Sequence, residues 1–337
     1  MSPRRPAGQV VGRRRPVWLL VSLLAVALAL AASWFGWGRE GLTPVDPASP
    51  QAERILDLYL FIGFIAAAIF LAVAVPLAFI LSRDGARGAP REQEGAQLHG
   101  HTRLELIWTA IPLALVLLIA GVTGYQAGGI NDQASGATSP DVVIDVEGRQ
   151  FYWRYRYENG AVAIDQLRVP VGHLVELRVQ APAWDVQHSF WAPALNGKVD
   201  AIPGQVNYLT FVPREVGIFD GRCAELCGLQ HAAMELAVEV MPVAEFEEWL
   251  RRNRPSDTTA LGATLWGGVC SKCHGAAPEF APNLENNPLV RNREALSSIV
   301  RNGVRRMPAV GRGWTDAEVR AVVRFARTIS KGASGGS

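Results

Sequence analysis

The sequence predicts a membrane-anchored multidomain chain: a two-helix transmembrane hairpin, then an all-β sandwich, then a small all-α module. Three observations carry that prediction. Leu58 to Leu81 and Leu106 to Gly124 are runs without a charge, apolar residues alternate with period two in several stretches between Val142 and Val240, and beyond Thr258 the periodicity turns helical. With 49% of its 337 residues apolar and a positive mean hydropathy, the chain has apolar surface for a bilayer as well as for folded cores. A formal net charge of +2 lacks the basic excess of a nucleic-acid binder, so no nucleic acid is expected among its partners.

The first 36 residues begin with Arg4, Arg5, Arg13, Arg14 and Arg15 and run into an uncharged stretch from Pro16 to Gly38 that contains Ala29-Leu30-Ala31. Basic residues, an apolar run and small residues describe a signal peptide or an N-terminal apolar helix. The hairpin is expected over 37–128, with helices at about 56–81 and 106–125. At ~1.5 Å per residue, Leu58 to Leu81 spans roughly 36 Å, enough for a hydrocarbon core of ~30 Å. Pro76 and Pro112 fall inside these runs, as transmembrane helices tolerate. The intervening loop holds Arg83, Arg87, Arg91 and Arg103, which places it in the cytoplasm and everything after Gly124 on the other side.

Gln126 to Pro140, rich in Gly, Ser and Ala, reads as a linker. The sandwich is expected over 139–254. Val142-Ile144-Val146, Phe151-Trp153-Tyr155-Tyr157, Val175-Leu177-Val179 and Leu236-Val238-Val240 alternate as strands do, separated by Gly and Pro turns, and suggest antiparallel pairing. Val243 to Arg252 follows Pro242 as a closing helix, and Arg251 to Thr259 is a polar connector. The helical module is expected over 258–333, most clearly in Thr315 to Ile329, where Thr315 and Glu318 make a capping box. Lys331 to Ser337 are expected to be disordered. Asp141 to Leu250 carries 16 acidic and 8 basic residues and Thr258 to Ser337 carries 5 acidic and 11 basic, so opposite charge favours docking of one module on the other.

The chemistry concentrates in Cys223 to Met234, Cys-Ala-Glu-Leu-Cys-Gly-Leu-Gln-His-Ala-Ala-Met, with His188 upstream in Asp-Val-Gln-His-Ser-Phe. Two thiols, two imidazoles and a thioether form the soft set that selects copper. One thiolate with two imidazoles and a Met describes a mononuclear blue copper; the second thiolate, four residues on, suggests two metals bridged by two sulfurs. A Cys223–Cys227 disulfide and a closed structural zinc site are the bland alternatives, although zinc rarely takes Met.

Cys270-Ser271-Lys272-Cys273-His274 is C-x-x-C-H, the attachment signature of c-type haem. Its thiols, Cys270 and Cys273, add to the porphyrin vinyls, and His274 becomes the proximal iron ligand. No second Cys or His pair follows to complete a zinc ribbon. After His274 there is no further His and one Met, so Met307 is the sixth ligand by elimination. His99, His101 and His173 lack partners in the sequence and are read as exposed.

The pattern C-x-E-x-C-G-x-x-H-x-x-M with an upstream His resembles the dinuclear copper A site of subunit II of haem-copper oxidases. The resemblance implies a cupredoxin sandwich in which Cys223 and Cys227 bridge two coppers, His188 and His231 bind one each, Met234 binds one, and the Glu225 carbonyl binds the other. It implies a magnesium ion shared with subunit I, reached by the Glu225 side chain and faced by Lys198 to Gly204. The segment Gln150 to Tyr155 resembles the family's aromatic patch, with Phe151 where many relatives have Trp, so Phe151 and Trp153 are electron-path candidates. Glu105 matches a carboxylate at the mouth of a subunit I proton channel. The C-terminal module resembles a class I cytochrome c, with Pro282 and Leu284 where that family packs the haem edge, and the fused arrangement resembles bacterial oxidases that carry their own cytochrome.

The function so implied is the electron-input subunit of a respiratory terminal oxidase. A cytochrome c or other donor would deliver electrons to haem c and copper A, and haem in subunit I would reduce oxygen to water with proton translocation. Subunit III and membrane lipid would be further partners, and the copper and haem domains would lie outside the cytoplasm of a multi-pass protein of a bacterial inner membrane. No catalytic residue for oxygen is expected here, because neither apolar run contains a His. A tethered cytochrome would act at an effective concentration of order mM. A copper A subunit of a nitric-oxide reductase shares these ligands, and a copper-handling assembly protein would use two Cys and a His.

Overall fold

The computed structural model describes residues 45–85, 100–131, 139–254, 258–275, 281, 282, 284 and 287–332. The expectations for the signal segment at 1–36, for Arg87, Arg91 and His99, for residues 132–138 of the linker, for the middle of the connector and for the last five residues fall outside these, and Gln126 to Asn131, expected as linker, continue the second helix. The chain divides into two compact units, one containing Asp57–Thr123, the other Asp46–Leu56 together with the chain from Gly124 onward.

Two helices, α1 (Pro50–Gly85) and α2 (Thr102–Asn131), are long and apolar enough to cross a membrane. Both run past the expected 56–81 and 106–125. A charge-free run marks only the part suited to lipid, whereas a helix continues until its backbone donors and acceptors find other partners. The Ser49 hydroxyl accepts from Ala52 N at 3.0 Å, so α1 starts at a Ser cap with Pro50 in the first turn and carries Glu53, Arg54 and Asp57 ahead of the apolar stretch. At α2, His101 Nδ1 accepts from Leu104 N at 3.2 Å and Glu105 Oε1 accepts from His101 N at 2.9 Å. That places Glu105 as a cap of its own helix.

The second unit opens with ten strands: β1 (Val142–Arg149), β2 (Tyr152–Tyr157), β3 (Val162–Ile164), β4 (Gln166–Pro170), β5 (Val175–Gln180), β6 (His188–Trp191), β7 (Val199–Ala201), β8 (Asn207–Phe211), β9 (Gly217–Cys223) and β10 (Glu235–Met241). They form two five-stranded sheets, ordered β3-β2-β1-β5-β8 and β4-β10-β9-β6-β7. The expected antiparallel pairing needs correction, because β1 runs parallel to β5 and β4 parallel to β10. The chain leaves the first sheet at Asp165, which sits at φ 56° between β3 and β4, so each sheet gathers strands from distant parts of the chain and some return in the same direction. Ile144, Val146, Trp153, Tyr155, Leu167 and Val238 fill the space between the sheets, and all are essentially inaccessible.

The helical part comprises α3 (Val243–Arg252), α4 (Thr258–Leu265), a π turn (Trp266–Cys270), α5 (Ser271–His274), α6 (Pro288–Arg291), α7 (Arg293–Asn302) and α8 (Asp316–Gly332). The capping box forms: Glu318 Oε2 accepts from Thr315 N at 2.7 Å and Thr315 Oγ1 accepts from Glu318 N at 3.3 Å.

The sandwich and the haem-type module share a core. Tyr152, Val162 and Ile164 of the sandwich pack into one cluster with Leu265, Val269, Val300, Trp314 and Val322. Strand β2 is therefore covered on both faces, with Trp153, Tyr155 and Tyr157 in the sandwich, Tyr152 and Arg154 beneath the helices, and Arg156 alone exposed. Gly268 permits the contact, since a Cβ there would lie 2.4 Å from the Ile164 Cβ. Arg154 pairs with Glu318 out of solvent. Around that pair, Lys272 Nζ meets Asp165 at 2.6 Å, Arg149 Nη1 donates to the Arg312 carbonyl at 2.6 Å, and the Arg149 and Arg312 guanidiniums lie over Trp184, 5.4 and 4.8 Å from its ring centre. Docking was expected from an acidic face meeting a basic one; the buried pair runs the other way, with the cation on the acidic module.

Candidate metal centre

Strand β9 ends in Cys223, β6 begins with His188, and the loop from Ala224 to Met234 closes over them before β10. Cys223 N donates to the Met234 carbonyl at 3.0 Å, which ties the two ends of the loop to each other, and Ala224 N donates to the Ser189 carbonyl at 2.9 Å, which ties the first end to the strand that carries His188. Gly228 makes the turn at φ 134°, and a Cβ there would be 2.9 Å from Gln150 Nε2, which leaves glycine as the residue that fits.

Within that loop the soft donors converge. The Cys223 and Cys227 sulfurs are 3.9 Å apart. Cys223 Sγ is 4.0 Å from His188 Nδ1 and 3.2 Å from the Glu225 carbonyl. Cys227 Sγ is 3.7 Å from His231 Nδ1 and 3.8 Å from Met234 Sδ. Each imidazole thus faces a different thiol. The cysteines are free, and a sulfur separation near 4 Å is about twice a disulfide bond. His188 and Met234 are completely buried, with Cys223 3% and Cys227 2% exposed. Copper fits this arrangement: two thiols, two imidazoles, a thioether and the Glu225 carbonyl each lie 3.2–4.0 Å from a neighbouring donor, with no carboxylate among them.

The titrating groups of the centre are shifted in different directions. Burial works to raise the Cys223 thiol, but His188 and neighbouring backbone hold it down at about 6, whereas burial next to the Cys223 sulfur pushes Cys227 up to about 12. Burial works to lower His188, and Asp185 with Cys223 outweighs it and raises it. Asp185 Oδ1 lies 3.3 Å from His188 Nε2, which braces the ring with Nδ1 toward Cys223.

The haem-type motif lies on the π turn and α5. Cys270, His274, Pro282, Leu284, Val300 and Met307 line an apolar cleft of about 640 Å³, part of which is open to solvent. His274 Nδ1 donates to the Pro282 carbonyl at 3.0 Å, which leaves Nε2 free for iron. Burial raises the Cys270 thiol to about 12, as suits a side chain embedded in an apolar wall. A greasy slot lined by one imidazole, one thioether and the Cys270 thiol, with Cys273 on the adjoining α5, fits a covalently attached porphyrin.

Trp153 is fully buried with its ring 6.1 Å from that of His188. Phe151 packs its ring on the Gly228 turn. Lys198 and Asp200 form a surface pair at 3.6 Å, and His173 Nδ1 bonds the Val171 carbonyl at 3.0 Å. Motif reading missed Gln150, whose Nε2 donates to the Cys227 carbonyl at 2.6 Å, and the bracing carboxylate of Asp185. It also missed the interface role of Lys272, although that residue lies inside C-x-x-C-H; its position between the two thiols was the available signal.

Three family descriptions match successive parts of the chain. Residues 39–124 match cytochrome c oxidase subunit II, transmembrane domain; residues 161–241 match cytochrome c oxidase subunit II, periplasmic domain; and residues 257–325 match cytochrome c oxidase, cbb3-type, subunit III. Cytochrome c oxidase subunit 2 of Alkalihalophilus pseudofirmus is 37% identical over 278 residues, covering 79% of this chain and 80% of the relative. That of Thermostichus vulcanus is 32% identical over 302 residues, covering 74% and 89%. Among solved structures, the periplasmic domain of cytochrome oxidase subunit II from Bradyrhizobium japonicum is 32% identical, covers 35% of this chain and 97% of that one, and superposes with a TM-score of 0.34.

Proposed function

The chain belongs to the cytochrome c oxidase subunit II family and carries a cytochrome c domain after its copper-type sandwich, and we propose that it is the electron-input subunit of a respiratory haem-copper oxidase. The observation that supports this best is the meeting of Cys223, Cys227, His231, Met234 and the Glu225 carbonyl of one loop with His188 of β6, within the same unit as the haem-type cleft. When bound, haem c and a dinuclear copper A each supply reversible one-electron chemistry with no transfer of atoms.

The residues divide that work. Cys270 and Cys273 would hold haem covalently, His274 and Met307 would serve as its iron ligands, and the apolar walls would keep water from the iron. Cys223, Cys227, His188, His231, Met234 and the Glu225 carbonyl would together hold the copper pair. Asp185 and the ties at both ends of the loop hold these donors still, so little rearrangement accompanies a change of charge. The Glu225 side chain and Lys198 to Gly204 would reach a magnesium ion at the junction with subunit I, and Glu105, at the cytoplasmic start of α2, would stand at the mouth of a subunit I proton channel. A cytochrome c donor supplies electrons, and haem in subunit I receives them and reduces oxygen to water with proton translocation. Subunit III completes the partners, in a bacterial inner membrane with the copper and haem domains on its outer side.

The test is a Cys223→Ser chain assembled with its oxidase in membranes. A reduced cytochrome c donor should still reduce haem c, while oxygen uptake falls by about two orders of magnitude or more. Oxygen uptake at the unaltered rate would contradict the assignment.

A further inference from the structure

Lys272 of the haem-binding turn reaches the segment that lies against the copper loop. Lys272, between the two haem-attaching cysteines, donates from Nζ to the Phe151 carbonyl at 3.1 Å and pairs with Asp165 at 2.6 Å. Gln150, covalently next to Phe151, donates from Nε2 to the carbonyl of Cys227 at 2.6 Å. Its backbone N donates to Asp185 Oδ2 at 3.3 Å, and the other oxygen of Asp185 is 3.3 Å from His188 Nε2. Two short hydrogen-bonded branches therefore connect the residue next to Cys273 with two of the copper donors, and the Phe151 ring and Gln150 amide lie flush on the Gly228 turn.

Stability does not account for Lys272. Its side chain is 31% exposed, and a pair so placed contributes about 0–1 kcal/mol. Docking is held by the shared apolar cluster and by the buried Arg154–Glu318 pair. What Lys272 does supply is registry: it sets the distance between the haem-binding turn and the Gln150–Phe151 shelf to within a hydrogen bond. Electronic coupling falls far less steeply along covalent and hydrogen bonds than across empty gaps, and a bonded chain without a gap is what these contacts make.

Resting on the electron-input assignment above, we propose that Lys272 and Gln150 are positioning residues for electron transfer within this chain, and that Lys272, Phe151, Gln150 and Cys227 form its route. One electron crosses: haem iron is oxidised by one unit, the copper pair is reduced by one, no proton moves and no bond forms or breaks. Trp153 is then packing beside His188 and not part of the route between the modules.

The test uses the full chain in detergent with haem c and copper in place. An electron is injected into the haem by a photoreductant, and haem reoxidation is followed optically together with copper reduction. Lys272→Met and Gln150→Met should each slow the internal step by about tenfold or more, with haem and copper potentials and the copper hyperfine pattern unchanged. Lys272→Arg, which keeps a donor on a similar stem, should recover most of the rate. Amide exchange at Tyr152 and Val162, measured on the same chains and on copper-free chains, reports whether docking persists. If Lys272→Met loosens docking, Gln150→Met, whose altered contacts lie within the sandwich, decides alone. Unaltered rates in the docked variants would overturn the route and leave the electron-input assignment standing; absence of internal transfer in the unmodified chain would overturn that assignment.

Discussion

Met234 answers two demands at once, since its side chain is fully buried and its sulfur lies 3.8 Å from Cys227. Replacing it by Leu nearly conserves volume and costs less than about 1.5 kcal/mol, so M234L should fold and melt close to the unmodified chain. What it loses is the thioether. The expected result is a copper-loaded protein with changed hyperfine splitting, read by paramagnetic resonance; an unchanged spectrum would mean that Met234 only packs.

Glu147 gives the molecule a defined acid response. Burial works to raise its carboxyl, but Arg149 and Arg154 outweigh it and hold it below the usual range. In the unfolded chain the group protonates near its ordinary value, so the unfolded state takes up the proton first. Its stabilisation is complete above that value and is lost as pH falls through the lower, folded one. The melting temperature should therefore drop between about pH 5 and pH 3 more steeply in the unmodified chain than in Glu147→Gln. Equal slopes would contradict the assignment.

At this scale the convergence of two Cys, two His and one Met was legible because soft donors are rare and their spacing is tight. Gln150 and Asp185 were not. An amide that bonds a backbone carbonyl 77 residues away and a carboxylate three residues before a His leave no pattern of their own, since the contact exists only after two sheets have been assembled.

Among the elements, β2 and the π turn carry the contact between modules. Gly268→Ala drives a methyl group into Ile164, toward atoms 2.3 and 2.4 Å away. The variant should keep its copper spectrum and the haem cleft, while amide exchange at Tyr152 and Ile164 rises as the modules part; unaltered exchange would contradict the packing described. Thr315→Ala removes one half of the capping box on α8 and should cost about 1 kcal/mol, read as a lower melting temperature of the haem module alone.

The strands themselves were legible from period-two alternation, and α8 from its cap. Pairing was not, because β1 beside β5 and β4 beside β10 are choices made between segments far apart in sequence. Nor was the burial of Tyr152 and Arg154, which occupy what alternation reads as the solvent side of β2. Only the arrival of the helical module turns that side into an interior. The helix ends were also understated, since loss of lipid-suited composition at Leu56 does not end a helix that Ser49 begins.

For the whole molecule, the cytochrome module is docked on the sandwich as well as tethered to it. A shared apolar cluster, the Arg154–Glu318 pair and the Arg149–Trp184–Arg312 stack hold it on the sandwich. Removing Glu318 takes away the ionic link between the modules, and because Glu147 still lies 3.1 Å from Arg154 the cost stays below the ~3–5 kcal/mol of a buried charge left alone. Glu318→Ala should therefore release the module, with a larger radius of gyration in scattering and slower haem-to-copper transfer, although both cofactor sites stay intact. Opposite net charge of the two modules made docking legible, but not its polarity, because the deciding cation and anion are single residues against the trend of their domains.

The most direct test of the central claim is the paramagnetic resonance of the oxidised full chain, matured with haem c and reconstituted with copper. A seven-line copper hyperfine pattern, from one unpaired electron shared by two nuclei held between Cys223 and Cys227, is the expected result. A four-line pattern, from a single copper, would contradict the dinuclear centre and with it the electron-input role proposed for this chain.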